Sequence, residues 1–459
     1  MTRLRLDVLE EDDATALLRR EVDATALQPS EWQDIARWVG RLPLALVLLN
    51  RSIVAGAISP SELLQRSQQL ETTAVLDAAM EALRDVVPTG ALRGASEALG
   101  LSYDRLSSPA QHAARLLAWL APTPIPAALI NALDRDSFTG PIRALLTVRS
   151  IVTPVAQGPV PMFGEMHRVM ADFLRTRTTP EEIRSELNAV ANAMFAVMNA
   201  QQVRIPAEWP LMDACLPHAG QLLFWLTSQR PRTPYIDATA AVGFAVMGLL
   251  MAQRLETEAA KVGSNIWPSL GEPSADGQLT LDGGRPAVLG FNRMLTSALA
   301  QSGNLDAAIG LQQVLVAVLK RNLTDDDPQL MTERDNLSLY LTNRAGDGDL
   351  DEASRLYDTT LPVWRRIAAG SSDLMAVLYN KALLEGKRGN ARQAQQLFEE
   401  VVAGMSQLPP AIETVQAHVA FAESLWDADR ERSLEELRRA LAVAESLQLP
   451  DQHPLKIVP

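Results

Sequence analysis

The sequence has few of the residues that stabilise small folds by covalent or metal bonds. Its 459 residues include one cysteine, Cys215, so an intramolecular disulfide framework is excluded. The five histidines lie far apart, and no His/Cys pair has the spacing of metal ligands. We therefore expect no zinc site and a chain that folds by packing alone.

Long apolar segments are also missing. The N-terminus lacks the continuous apolar stretch of a secretory signal, and the longest apolar run, Ala240 to Ala252, is too short to span a bilayer. We therefore expect a cytoplasmic protein without a membrane partner.

The chain has no basic excess and few aromatic residues. Its 42 Lys and Arg are outnumbered by 55 Asp and Glu, for a net charge of −13, which disfavours a nucleic-acid partner. Aromatic residues make up 5% of the chain against 47% hydrophobic residues, so the core must consist largely of Leu, Ala, Val, Ile and Met. These residues favour packed helices, and we predict a mainly α fold.

Helix-start signals indicate that the first 85 residues form a small helical subdomain. A short strand is predicted at 4–8, where apolar residues alternate. Ser30-x-x-Gln33 is interpreted as a capping box, and Pro43 and Ser59-Pro60 as the starts of the next helices.

Residues 86–180 have the pattern of a winged helix. Helices are predicted after Ser108 and near Pro126 and Pro141. Residues 150–155 and 160–163 then form a predicted β-hairpin around a Gly-Pro turn. Three helices followed by a hairpin describe this domain, which a last helix closes.

The remainder is predicted to be helical throughout. Residues 181–290 are interpreted as degenerate helical repeats, interrupted by a long loop at 261–287 that is rich in glycine and proline. Residues 291–459 are interpreted as tetratricopeptide-type repeats that form an α-solenoid.

A recurring signature supports these repeats. Gly-[Asn/Asp]-x-x-x-Ala begins at Gly303, Gly348 and Gly389, each time between two apolar helical stretches. The glycine permits a tight turn, and the alanine lets the two helices approach closely. A solenoid of helix pairs exposes a groove, so a protein or peptide partner is expected.

Three stretches together resemble the NB-ARC signalling ATPases, STAND-type proteins that include plant resistance proteins, apoptosome factors and bacterial regulators. Residues 40–46, Gly-Arg-Leu-Pro-Leu-Ala-Leu, resemble that family's Gly-Leu-Pro-Leu-Ala-Leu motif. Residues 166–169, Met-His-Arg-Val, resemble the Met-His motif that ends its winged helix. Residues 208–219 are similar to the spacer before the tetratricopeptide repeats of bacterial members. The family's order is kept along essentially the whole chain.

The resemblance implies a nucleotide-controlled switch. In the family, the residue matching Pro43 packs near adenine, and the residue matching His167 contacts the β-phosphate of ADP in the resting state. Exchange for ATP releases this contact and permits homo-oligomerisation. A proline ring is rigid and apolar, and a histidine ring N–H can donate to a phosphate oxygen. Pro43 and His167 are therefore the candidate ADP/ATP contacts.

The sequence departs from the family pattern in two ways. Arg41 stands where a second glycine is expected before Leu42. More importantly, the sequence contains no Gly-x-x-x-x-Gly-Lys-[Ser/Thr] P-loop, whose backbone amides and lysine hold the phosphates. The sequence would then be a C-terminal fragment, a mis-started reading frame or a degenerate descendant of the family. We expect no cofactor in this chain alone, and ADP or ATP if a P-loop domain encoded upstream is present. We also expect no enzymatic activity, since no hydrolase, transferase or redox constellation is present.

Groove residues are harder to predict, because the faces of a solenoid depend on its structure. The candidate partner-binding residues come from the first helices of repeats: Arg334, Asn336, Tyr340, Tyr379 and Lys381.

Two alternative functions remain open. One is a nucleotide-independent scaffold. The other is a winged-helix DNA-binding regulator, for which Arg143 and Arg149 would be the candidate contacts, although the helix that carries them is mostly apolar.

Overall fold

The computed structural model describes residues 8–23, 25–68, 92–133, 138–199, 205–273, 279–280 and 285–447. These residues are mainly α-helical, which confirms the predicted fold class. They divide into two compact units, residues 1–280 and 281–459. The predicted strand at 4–8 lies outside the described residues except for its last position, and so do residues 69–85 of the first subdomain.

The first unit begins with four helices. They are α1 (Glu11–Leu18), α2 (Pro29–Trp38), α3 (Pro43–Val54) and α4 (Pro60–Gln68). The predicted capping box lies two residues earlier than expected. Gln28 is the N-cap of α2, and its N–H donates to the Glu31 carboxylate at 2.7 Å. Pro29 allows this earlier start because a first-turn N–H needs no helical partner.

The next elements surround a small two-stranded sheet. They are α5 (Leu92–Tyr103), α6 (Ser108–Ala118), β1 (Ile125–Pro126), α7 (Ala127–Ala132), α8 (Gly140–Val148), β2 (Met162–Gly164) and α9 (Arg168–Thr176). The predicted hairpin was wrong in its pairing. β2 pairs antiparallel with β1, and the segment 150–155 contributes one isolated bridge, between Thr153 and Glu165. The sequence-distant strand β1 is thus the main partner of β2.

Four longer elements complete the described helices of the first unit: α10 (Pro180–Val197), α11 (Trp209–Ser228), α12 (Ile236–Ala252) and α13 (Glu256–Ile266). The predicted loop at 261–287 is therefore too long, because its first residues belong to α13. Two short strands follow, β3 (Glu272–Pro273) and β4 (Leu279–Thr280), paired antiparallel.

Within the described part of the chain, one helix is long and apolar enough to cross a membrane. Thr233–Ala252 has 20 residues and a mean hydropathy of 1.7, so the apolar segment is longer than the sequence run predicted. However, 67% of it is buried inside the protein, where α12 packs against α10, α11 and α13. α12 is therefore a core helix of the first unit.

The second unit is a stack of four helix pairs: α14 (Pro286–Gln301) with α15 (Leu305–Lys320), α16 (Pro328–Arg344) with α17 (Asp349–Ile367), α18 (Ser372–Lys387) with α19 (Ala391–Met405), and α20 (Ile412–Leu425) with α21 (Arg430–Ser446). Each helix packs against the next along the chain, as in a tetratricopeptide-type solenoid.

The repeat signature has the predicted structural role. The turn glycines Gly303, Gly348 and Gly389 have φ of 87°, 78° and 81°, which side chains rarely adopt. The signature alanines are buried in α15, α17 and α19. In the fourth pair Ser433 takes the place of the alanine, and its hydroxyl donates to the Ala422 carbonyl of α20 at 2.7 Å.

Candidate functional site

Pro43 and His167 lie in the wall of one pocket of the first unit. The lining residues are Leu42, Pro43, Leu44, Ala45, Ala95, Leu99, His167 and Val169. Its empty volume of ≈ 320 Å³ includes open solvent, so the pocket is a shallow depression and not an enclosed cavity. Every lining residue except His167 is apolar, and the exposed surface of the pocket is apolar throughout.

The wall at Pro43 is formed by the start of α3. The chain leaves α2 through Gly40 and Arg41, which have φ of 66° and 54°. Leu42 then returns to an extended conformation as the N-cap, and Pro43 is the first helical residue. The proline ring suits this place because its φ is already helical and its missing N–H would have no helical partner.

The opposite wall comes from α5, which carries Ala95 and Leu99. This helix lies unusually close to the end of α2. A Cβ atom at Gly94 would stand 2.3 Å from the Trp38 carbonyl oxygen. Only glycine permits that approach, and it brings Ala95 to the pocket.

His167 is held by the strand before it and the helix after it. The bridge between Thr153 and Glu165 fixes the chain two residues earlier, with backbone hydrogen bonds of 2.8 and 2.9 Å. His167 is the N-cap of α9, and its Nδ1 accepts a hydrogen bond from the Val169 N–H at 3.2 Å. The ring is therefore fixed in place by its own helix.

This capping bond also determines the tautomer of His167. Burial lowers the pKa of the ring, an effect that the nearby carboxylates of Glu165 and Asp172 oppose. The neutral ring has one N–H, and Nδ1 acts as an acceptor. Nε2 consequently carries the hydrogen, and the ring offers a neutral N–H donor.

The pocket is chemically compatible with part of a nucleotide. An apolar depression that begins at a proline suits one face of a purine base, and the His167 ring beside it carries one N–H. Pro43 would contact the base, and His167 would contact a phosphate. The Gly-x-x-x-x-Gly-Lys-[Ser/Thr] segment that would hold the remaining phosphates is absent from the sequence.

A buried ion-pair cluster supports the His167 helix from behind, and the sequence analysis missed it. Arg115 of α6, which packs against α9, donates through Nε to Glu186 of α10 at 2.8 Å. The Trp119 indole donates to the same carboxylate at 2.9 Å, and Arg115 also bonds Glu182 at 2.8 Å. Glu186 is 1% exposed. Glu186 stands at a position of α10 where the helical spacing predicts an apolar residue, and this signal could have revealed the cluster.

Three of the five predicted partner-binding residues form hydrogen bonds within the solenoid. Arg334, Tyr340 and Lys381 are all buried. Arg334 donates to the Asp325 carboxylate, Tyr340 to the Thr296 hydroxyl, and Lys381 to Asp358 at 3.0 Å. These side chains hold repeats together, and a role in partner contact stays a prediction for them.

Asn336 and Tyr379 are more accessible, since both are half-buried. Asn336 donates to the Glu333 carboxylate at 3.2 Å, and the Tyr379 ring packs edge-on against Phe398 with 5.9 Å between centroids. The sequence analysis missed Glu333, which is fully buried and also accepts hydrogen bonds from Arg293 and Gln312.

Other reactive groups are enclosed. Cys215 is buried, and burial raises the pKa of its thiol to about 12, which makes it unreactive. Within the described ranges, His, Cys, Asp and Glu side chains form no cluster of three that could hold a metal ion.

Comparison with known proteins gives structural similarities only. No protein-family model and no curated protein matches this chain. Among solved structures, BtubC (BKLC) from P. vanneervenii aligns with 14% identity and a TM-score of 0.40, over 51% of this chain and 92% of that chain.

Two longer alignments have lower scores. A STAND protein with a tetratricopeptide repeat sensor from Pyrococcus horikoshii aligns with 12% identity and a TM-score of 0.35, over 96% of this chain and 61% of that chain. Rap protein complexed with competence and sporulation factor aligns with 11% identity and a TM-score of 0.28, over 96% and 99%. With scores this low, none of the three defines what this chain binds.

Proposed function

We propose that this chain is the regulatory part of a nucleotide-controlled signalling switch. Its helical repeats bind a protein or peptide, and its pocket at Pro43 and His167 contacts ADP or ATP held by a P-loop domain encoded upstream. The observation that carries the proposal is the convergence of these two residues, distant in sequence, on one pocket. A bound nucleotide would add a charged phosphate group to an otherwise apolar site.

The arrangement around His167 supports the family interpretation of residues 86–180 as a winged helix. The order is helix α6, strand β1, helices α7 and α8, the bridged segment at Thr153 and strand β2. β2 pairs with β1 on one side, and Glu165 bridges to Thr153 on the other. We interpret residues 1–85 as the helical subdomain that carries Pro43.

A DNA-binding role is less well supported by the same domain. The guanidinium of Arg143 is occupied, since it donates to the Phe138 carbonyl at 2.7 Å and to Asn131 Oδ1 at 2.9 Å. Val148 on the same helix is 60% exposed. A groove-reading helix should instead present several free polar side chains.

The pocket can be tested by comparing ADP with adenosine on the 459-residue chain, using ligand-detected NMR titration. We expect ADP to bind more tightly than adenosine because His167 donates to a phosphate oxygen. His167→Ala should weaken ADP by about 10-fold, the value of one charge-assisted hydrogen bond, and leave adenosine unchanged. Ala95→Leu, which fills the pocket, should weaken both ligands.

Thr257→Ala is the control, since Thr257 of α13 is an exposed polar residue outside the pocket. Absence of binding to this chain alone is compatible with a nucleotide held by the P-loop domain, whereas equal affinity of the wild type for both ligands would contradict the nucleotide role. The scaffold function, in which the repeats bind a partner without nucleotide, would then be preferred.

The solenoid can be tested by selecting displayed peptides against the whole chain. Selected peptides should lose at least about 10-fold in affinity for the double variant Asn336→Ala, Tyr379→Ala if these half-buried side chains line the groove. Unchanged affinity would exclude this pair from the binding surface.

A further inference from the structure

The last described helix of the solenoid has an uncovered apolar face. Leu434 and Leu441 of α21 are 42% and 52% exposed, and Trp426 in the preceding turn is 42% exposed. At 100° per residue, Arg430, Leu434, Leu441 and Glu445 fall within a sector of about 60°. They form one straight stripe along the helix.

The inner repeats indicate what this stripe normally contacts. Aligning the N-caps Asn390 of α19 and Asp429 of α21 places Gln395 at the position of Leu434. Gln395 is partly buried and donates to the Ser424 carbonyl of the next helix, α20, at 3.0 Å. This position is therefore where one repeat contacts the first helix of the next.

The two other inner repeats agree. Ser354 of α17 occupies the same position and accepts hydrogen bonds from Lys381 and Arg388 of α18, at 3.2 and 2.8 Å. In α15 the position is Ile309, which is 3% exposed. The end of a solenoid is normally polar at such positions, yet α21 has leucine. A further helix is missing from this face among the described residues.

The charges at the ends of the stripe are opposite to what an isolated helix prefers. Arg430 lies in the first turn of α21 and Glu445 in the last. The helix dipole disfavours a cation at the N-terminus and an anion at the C-terminus, each by about 0.3–1 kcal/mol. The guanidinium of Arg430 lies 4.5 Å from the centroid of the Trp426 ring, and a partner of opposite charge would offset the unfavourable dipole interaction of Arg430 and of Glu445.

We propose that the α21 face, defined by Arg430, Leu434, Leu441 and Glu445, binds the same face of a second copy of this chain. An antiparallel pairing places each Leu434 against Leu441 of the other copy and each Arg430 against its Glu445. Both pairings are centred on the same point, between Leu437 and Arg438, as a two-fold axis requires. In this pairing the two ends of the stripe bring opposite charges together, and the leucines lie between them.

Sedimentation equilibrium of the full chain tests the dimer, because one copy has a mass of 50.0 kDa. We expect a concentration-dependent species of twice that mass. Leu434→Glu should raise the dissociation constant at least about 100-fold, as for a central interface residue. Val314→Glu is the matched control, since Val314 of α15 is 43% exposed and lies outside the stripe.

A charge exchange tests the register. Glu445→Arg should weaken the dimer about 10-fold, although it improves the charge at the helix end, and Arg430→Glu added to it should restore the dimer. A chain that stays at 50.0 kDa at all concentrations would overturn the proposal. So would a dimer that is insensitive to Leu434→Glu, or a double exchange that fails to restore it.

Discussion

The indole Nε1–H of Trp364 donates a hydrogen bond to Oδ2 of Asp335 at 2.7 Å, inside the second helix pair of the solenoid. The other oxygen of this carboxylate accepts from the Thr360 hydroxyl at 2.5 Å. Both donors are uncharged, and Asp335 is 6% exposed. Burial raises the pKa of Asp335 to about 7, against the opposing effects of the two donors and of Arg334.

Asp335→Asn should therefore change how the stability of the solenoid depends on pH. The folded state binds this proton more tightly than the unfolded state, so the free energy of unfolding falls as pH rises between about 4 and 7. One pKa unit corresponds to about 1.4 kcal/mol, and Asp335 is already half deprotonated at pH 7, so the decrease from pH 5 to pH 7 is about 2 kcal/mol. The asparagine side chain has no ionisable group, and the decrease should disappear in urea unfolding followed by circular dichroism.

Asp427→Asn is the control for this experiment, because Asp427 is an exposed carboxylate of the same unit. It should keep the wild-type dependence on pH. An unchanged slope in Asp335→Asn would show that Asp335 does not hold a proton near neutral pH.

His167 should contribute to stability as an N-cap, separately from any ligand. Its Nδ1 accepts from the Val169 N–H, so His167→Ala should lower the free energy of unfolding by about 1 kcal/mol. His167→Asn should retain most of it, since asparagine also caps helices.

The dependence of stability on pH tests the effect of burial on the His167 ring. Burial lowers the pKa of His167, so the unfolded chain binds more protons just below pH 6.5, and stability is lost as pH falls through that range. The Asn variant should lose less stability than the wild type between pH 7 and pH 5. Equal losses in thermal unfolding would mean that His167 titrates alike in both states.

The sequence was most informative where a backbone requirement leaves a residue-type signature. The turns at Gly303, Gly348 and Gly389 need positive φ, and the helix crossings need a small side chain, so the repeats could be predicted. Pro43 and His167 were predicted through short motifs, and both line the pocket. Their roles at a nucleotide stay predictions.

Pairing between distant segments was not predictable in the same way. β2 could have paired with the segment 150–155 or with β1. The alternation of apolar residues within β2 does not show that its main partner is β1 at Ile125, which is separated from it by two helices. Likewise, the buried carboxylates Glu186 and Glu333 are predictable as polar residues on apolar faces, but their partners lie on other helices. Lys381 was predicted as a groove residue because its burial depends on how neighbouring helices pack, which the sequence does not show.

Removing one partner of the Arg115–Glu186 pair should destabilise the first unit strongly. Arg115→Met leaves the buried Glu186 carboxylate with the Trp119 N–H and the His112 ring but without its guanidinium partner, at a cost of about 3 kcal/mol or more. The double variant Arg115→Met, Glu186→Leu removes the charge as well and should recover much of the loss. Urea unfolding of both variants measures the difference, and a double variant less stable than Arg115→Met would contradict this account.

Arg41 lies between Gly40 and Leu42 in a left-handed conformation, with φ of 54°. Its N–H still donates to the Ala36 carbonyl at 2.8 Å, so the turn that leads to Pro43 is formed at the expense of backbone strain. A left-handed residue other than glycine costs about 1–2 kcal/mol, and part of the gain from glycine is offset by its greater freedom when unfolded. Arg41→Gly should therefore raise the free energy of unfolding by about 0.5–1 kcal/mol, measured as a higher urea midpoint. Arg51→Gly, inside α3, is the matched control and should lower it by about 1 kcal/mol. A lower midpoint for Arg41→Gly would mean that the arginine side chain stabilises this turn by more than the strain it causes.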